Sequence, residues 1–192
     1  MTSKINFLCG CSDYKTVRVV RLKIRFFSQT IGSAQRIAKP RDVRPMLFLS
    51  IHPRFLDRIL TGEKTVELRR QRPRDVTGQQ VVLYATTPEK QLKGIARVTE
   101  IRSLPPQTLW PVVQHQACVT QAEYQRYFEG SDQAVGIFLT DAIAFEHPLS
   151  LESLRQAWPG FQPPQGFRYL TAEQRQLIGS LTVATRGRKW AA

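Results

Sequence analysis

Residues 50–70 constrain the fold of this chain most, because they place a strand, a short helix and a second strand in immediate succession. The apolar run 47–51 predicts a buried strand. Pro53 suits the first turn of a helix, and apolar side chains then recur at helical spacing up to Gly62, a typical helix end. Strand composition returns at Thr65, which leaves room only for a tight connection.

The second of these strands carries strong charges of both signs, Lys64, Glu67 and Arg69. Side chains at i and i+2 of a strand share a face, so Glu67 and Arg69 point the same way, with Thr65. Lys64 faces the other way unless the backbone bends just after Gly62. An ion pair in a polar cleft, able to present a guanidinium group to a phosphate or a base edge, is one interpretation. A structural ion pair at the end of a barrel is the other.

The remaining pattern of apolar runs, glycines, prolines and capping residues predicts a small α+β domain. Residues 81–86 and 92–101 read as strands joined too tightly for a crossover helix, which favours antiparallel pairing. Thr120 and Thr171 each begin a helix with a capping box, and residues 133–145 form the longest strand candidate. From Met46 the predicted order is β-α-β-β-β-α-α-β-α-α, with 160–169 as an aromatic loop. We predict a mostly antiparallel barrel with helices packed at its ends.

The charge of the chain is large and uneven. The 192 residues carry a formal charge of +13, and residues 1–45 alone hold ten Lys or Arg against two acids. We predict a basic, flexible arm over 1–45, a folded domain over 46–183 and a basic tail over 184–192. A positive electrostatic field attracts polyanions such as RNA, DNA or an anionic membrane surface. The alternative interpretation is that the excess charge only keeps the protein soluble.

Several classes of protein are disfavoured. Three cysteines, Cys9, Cys11 and Cys118, form neither a disulfide framework nor a metal site, and free thiols indicate a reducing, cytoplasmic compartment. No run of about 18 apolar residues is present, so no membrane association through a span is expected. Neither a metal nor another cofactor is predicted, and glycine-rich phosphate loops are missing.

Residues 62–69 resemble the G-x-K-x-x-E-x-R signature of ASCH domains, which belong to the PUA-like superfamily of small β-barrels associated with RNA. The similarity extends over about residues 46–146 and includes the preceding strand and helix. It implies a PUA-like barrel and an RNA or nucleotide-like ligand. We therefore predict a ligand-binding set beside the motif, namely Lys64, Glu67, Arg69, Arg70, Arg72, His52 and Tyr84.

Four members of this set rest on weaker arguments. Tyr84 ends a strand that should line the cleft, so its ring either stacks on a base or fills the barrel. Arg70 and Arg72 belong to a basic loop that either follows a nucleic-acid backbone or is a solvated turn. We call the predicted strand that carries Glu67 and Arg69 the motif strand. His52 lies close to it, where a histidine either contacts a ligand or is structural.

Three functions remain open at this point. The first is binding of RNA or of a nucleotide-like ligand without catalysis. The second follows from ASCH-related amidohydrolases that act on acylated cytidine, whose catalytic set resembles a Lys, a Thr three residues later and a Glu. Glu67 occupies the Thr position here, so Lys64 would be the base and Thr65 or water the nucleophile. The third is a protein-interaction module whose charge is incidental.

Overall fold

The structure is a computed structural model that describes residues 45–184. Within that range a six-stranded sheet is combined with five helices, as the predicted α+β class requires. The predicted arm and tail lie outside the described residues except at residues 45 and 184. In chain order the elements are β1 (Met46–Ile51), α1 (Pro53–Leu60), β2 (Val66–Arg69), β3 (Gln80–Ala85), β4 (Gln91–Leu104), α2 (Pro106–Val113), α3 (Gln121–Phe128), β5 (Ala134–Ser150), α4 (Leu151–Ala157), β6 (Phe167–Leu170) and α5 (Ala172–Ala184).

The sheet has the order β2-β5-β4-β3-β1-β6 and curls into a half-barrel. Four neighbouring pairs are antiparallel, whereas β1 and β3 run parallel. The parallel pair is possible because α1 and β2 lie between these two strands in the sequence and supply the long crossover. Among the described residues no ladder joins the two edge strands, β2 and β6, so the predicted barrel is a half-barrel.

Strand β6 is the element that the sequence interpretation missed, because residues 160–169 were predicted to be a loop. The strand pairs antiparallel with β1, from Met46 opposite Leu170 to Leu49 opposite Phe167. The Ser50 N–H also donates to the Gly166 carbonyl oxygen at 2.9 Å. Four residues are too few to show an alternating pattern, and the pairing partner lies more than a hundred residues earlier in the sequence.

Alternate residues of β1 and β3 pack on opposite faces of the sheet, as the period of a strand dictates. Leu47, Leu49 and Leu83 belong to one buried cluster with α1, and Phe48 and Tyr84 belong to another. A third cluster packs α2 and α3 on β2, with Val66, Leu68, Leu109, Val113, Tyr124 and Phe128. This third cluster fixes α3 beside β2, which is the motif strand.

The long strands β4 and β5 approach each other and α1 closely at Gly94. A Cβ atom at this position would lie 2.4 Å from the Ile143 carbonyl oxygen and 2.8 Å from Cδ2 of Leu60. A side chain is therefore excluded there by a neighbouring backbone. As for membranes, each helix within residues 45–184 is too short or too polar to cross a bilayer.

Candidate functional site

The turn between α1 and β2 directs the Lys64 side chain toward β2. Gly62 adopts φ +82°, and the Lys64 N–H donates to the Arg58 carbonyl oxygen at 2.9 Å. Because β2 begins only at Val66, strand alternation does not apply to Lys64. Its Nζ lies 3.5 Å from Oε2 of Glu67. The backbone therefore bends after Gly62, which brings Lys64 to the same side as Glu67.

Glu67 is the carboxylate shared by two cations, and we call Lys64, Glu67 and Arg69 the ion triad. Nη1 of Arg69 lies 2.5 Å from Oε1 of Glu67. The three side chains are only 2%, 6% and 14% exposed, in the order Lys64, Glu67 and Arg69. Buried charges are tolerated when they are paired and hydrogen-bonded, as they are here.

Backbone carbonyl groups complete the surroundings of the triad. Lys64 Nζ donates to the Ala117 carbonyl oxygen at 2.6 Å, which ties the motif to the loop between α2 and α3. Arg69 Nη2 donates to the Ser50 carbonyl oxygen at 2.8 Å, at the end of β1. The Arg69 Nε is buried and has no hydrogen-bond partner among the described residues. The triad therefore joins three separate segments of the fold around one carboxylate.

Burial lowers the pKa of Lys64, and this effect exceeds the opposing influence of Glu67, which raises it. The cation also lies 5.2 Å from the centroid of the Phe55 ring. A lysine with a lowered pKa releases its proton more readily than an exposed one. The amine is nonetheless engaged with Ala117 and Glu67, so in this arrangement it acts first as a hydrogen-bond donor.

The lowered pKa makes a prediction about alkaline stability. An unfolded lysine holds its proton up to about pH 10.5, whereas folded Lys64 loses it at a lower pH. Between those two values the unfolded chain binds more protons, so the free energy of unfolding rises with pH. Urea denaturation from neutral pH to about pH 10.5 should show this rise in the wild type relative to Lys64→Met. Parallel profiles for the two proteins would contradict it.

A cleft of about 530 Å³ opens above the triad between α1, β2 and α3. This volume suits a nucleotide-sized ligand. Five basic side chains and two carboxylates contribute to its walls, together with aromatic rings. The lining residues are His52, Arg54, Phe55, Lys64, Glu67, Leu68, Arg69, Arg70, Val119, Glu123, Tyr124, Arg126 and Tyr127.

Three arginines at the cleft differ in their hydrogen-bond and ion-pair partners. We call Arg54, Arg70 and Arg126 the rim arginines. Arg54 pairs with Glu123 at 2.8 Å. Arg70 donates from Nε to the Tyr127 carbonyl oxygen at 2.6 Å, and its guanidinium carbon lies 5.4 Å from the centroid of the Tyr127 ring. Arg126 is exposed and shows no ion pair among the described residues. Two rim arginines thus keep a net positive charge available to an anion.

The structure places some of the predicted ligand set at the cleft. The triad lines it, and so do Arg70 and His52. The His52 Nδ1 accepts a hydrogen bond from the Arg54 N–H at 3.3 Å, which caps the first turn of α1. His52 therefore has a structural contact and a position in the cleft at the same time.

Three predicted residues lie elsewhere. Arg72 is exposed but does not line the cleft. Thr65 lies outside the lining as well, with its N–H donating to the Gln116 carbonyl oxygen at 3.1 Å. Tyr84 is 1% exposed and packs 5.7 Å from the Phe48 ring, so the structure favours its filling role over stacking on a base. Its hydroxyl has no hydrogen-bond partner among the described residues.

The sequence interpretation missed the contribution of α3 to the cleft. Tyr127 of that helix is 40% exposed, although it is a large aromatic residue. Glu123, Arg126 and Tyr127 have the i, i+3, i+4 spacing of one helical face, beside the buried pair Tyr124 and Phe128. That spacing was the available signal, but it does not show which strand the face adjoins. Within residues 45–184, no group of three or more His, Cys, Asp or Glu side chains is arranged to hold a metal ion.

Comparisons with known proteins show the family to which residues 49–149 belong. The model of the ASCH domain matches residues 49–149. An "ASCH domain-containing ribonuclease" of Zymomonas mobilis is 34% identical over 134 residues, which cover 70% of this chain and 90% of that protein. A crystal structure of ASCH from Zymomonas mobilis superimposes with a TM-score of 0.67 at 33% identity, over 71% of this chain and 94% of that one. A variant of that protein gives a TM-score of 0.68, also at 33% identity, over 72% of this chain and 99% of the variant.

Proposed function

This chain belongs to the ASCH domain family, and we propose that it binds RNA in the cleft between α1, β2 and α3. The observation that carries the proposal is the composition of that cleft. Five cations face only two carboxylates around a space of nucleotide size. Cationic side chains in excess beside an exposed aromatic ring, here Tyr127, are typical of a surface that binds single-stranded nucleic acid.

Each part of the cleft has a distinct role in this proposal. Arg70 and Arg126 bind phosphates, because neither is paired with a carboxylate among the described residues. Tyr127, exposed on α3, offers a ring on which a base stacks. The ion triad forms the floor, where Glu67 and Arg69 provide an acceptor and a donor for the polar edge of that base. The basic residues of 1–45 add long-range attraction.

The Zymomonas mobilis relative supports RNA as the ligand, since its name is that of a ribonuclease. Cleavage of the bound RNA is accordingly a second candidate function. Incubating end-labelled RNA with the protein and resolving the products by electrophoresis distinguishes cleavage from binding alone. Hydrolysis of acylated cytidine, lost in Lys64→Met, would instead support the amidohydrolase alternative.

Binding is tested by fluorescence anisotropy with a labelled single strand about 12 nucleotides long. Affinity should fall steeply with salt, by a slope of about −0.7 in log–log form for each phosphate neutralised. Arg126→Gln should reduce the magnitude of this slope by about that amount. Arg97→Gln is the matched control, because Arg97 lies on β4 outside the cleft and pairs with Asp141. Absence of RNA binding, or equal effects of the two substitutions, would overturn the proposal.

A further inference from the structure

An ion pair joins the two helical walls of the cleft. Arg54, in the first turn of α1, and Glu123, in the first turn of α3, lie 2.8 Å apart between Nη2 and Oε1. Both side chains line the cleft, and they remain 52% and 38% exposed. An exposed pair of this kind contributes little to stability, so its position in a cationic cleft calls for another reason.

The carboxylate of this pair is held rigidly. Glu123 Oε2 accepts hydrogen bonds from the Thr120 N–H at 2.8 Å and from Thr120 Oγ1 at 3.1 Å, and the Glu123 N–H donates to Thr120 Oγ1 at 3.2 Å. These contacts form the capping box of α3. The Thr120 N–H and Arg54 lower the pKa of Glu123 to about 2. A fixed negative charge therefore lines the cleft at every physiological pH.

The other rim arginines differ from Arg54 in this respect. Arg70 donates to a backbone carbonyl oxygen, and Arg126 shows no carboxylate within ion-pair distance among the described residues. A phosphate that approaches Arg54 meets a guanidinium group whose Nη2 is already bound to a carboxylate. The same phosphate is repelled by the charge of that carboxylate.

We infer that Glu123 is an internal competitor of RNA phosphate for Arg54, and that it limits the affinity of the cleft for RNA. This inference rests on the proposed function. The carboxylate accepts the hydrogen bond from Nη2 of Arg54 that a phosphate oxygen would otherwise accept. Because Nη2 of Arg54 stays bound to this carboxylate, the pair weakens the binding of polyanions to the cleft.

Glu123→Gln tests the inference while keeping the helix cap, since glutamine also serves at that position of a capping box. In the full chain, affinity for the labelled single-stranded RNA at low salt should rise about tenfold. The salt slope should also steepen by about 0.7, because Arg54 then neutralises one more phosphate and releases the counter-ion of that phosphate from the RNA. Glu129→Gln, at the other end of α3 and outside the cleft, makes the same charge change and should alter affinity less than about twofold.

Arg54→Gln supplies the second half of the test. In the Glu123→Gln background it should remove the whole gain in affinity. Unchanged or weaker binding by Glu123→Gln would overturn the inference, and so would a gain that persists without Arg54. If the wild type binds RNA through Arg126 but Glu123→Gln has no effect, this inference alone fails. If the wild type binds no RNA, the proposed function fails and the inference falls with it.

Discussion

Glu67→Gln should lower the free energy of unfolding by about 3–5 kcal/mol, the range for removing one partner of a buried ion pair. The substitution preserves shape but removes the only charge that compensates Lys64 and Arg69 within the ion triad. Both cations would then remain buried beside a neutral amide, with Lys64 Nζ still directed at Ala117. Urea denaturation followed by circular dichroism measures the difference.

Glu100→Gln is the matched control for this prediction. Glu100 is a strand carboxylate that also pairs with an arginine, Arg102, at 2.7 Å, but its side chain is 46% exposed. An exposed pair contributes about 0–1 kcal/mol, so the loss should be correspondingly small. Equal losses for the two substitutions would mean that burial of the triad has no energetic consequence.

Combined Arg70→Gln and Arg126→Gln substitutions should weaken RNA binding about 100-fold at low salt. Each removes one charge-assisted phosphate contact worth about 1.4 kcal/mol, or a factor of ten. Arg70 follows β2 and Arg126 lies on α3, so each guanidinium group should contact a phosphate of its own and the two losses should multiply. Anisotropy titrations against the same labelled strand measure the loss.

The control for this pair is the combination of Arg97→Gln and Arg102→Gln on β4. It lowers the net charge by the same amount but leaves the lining of the cleft intact. The affinity should fall only slightly, through the weakened long-range field. A comparable loss in both double variants would show that net charge, rather than the cleft, determines binding.

The local sequence predicted the motif region well because its signals are short-range. Gly62 adopts a positive φ, and the bend that it allows brings Lys64 toward Glu67. The capping box that begins at Thr120 was likewise readable from two residues. In both cases the partners lie within three residues of each other, so the contact is encoded by spacing alone.

Contacts between distant segments are not encoded by local spacing. The pairing of β6 with β1, and the approach of α3 to the motif strand, join residues far apart in the sequence. Tyr84 illustrates the same difficulty, since alternation along β3 separates two faces but does not say which face meets the cleft. Both faces of β3 are buried, so the placement of Tyr84 followed only from packing.

The most direct measurement is photocrosslinking of the full chain to RNA that contains 4-thiouridine, with the linked peptides identified by mass spectrometry. Crosslinks should appear in peptides that carry Phe55 or Tyr127, two of the rings that line the cleft on α1 and α3. They should diminish in the Arg70→Gln and Arg126→Gln double variant. Crosslinks confined to residues 1–44 or to α5 would show that RNA, if it binds, does so away from the ion triad.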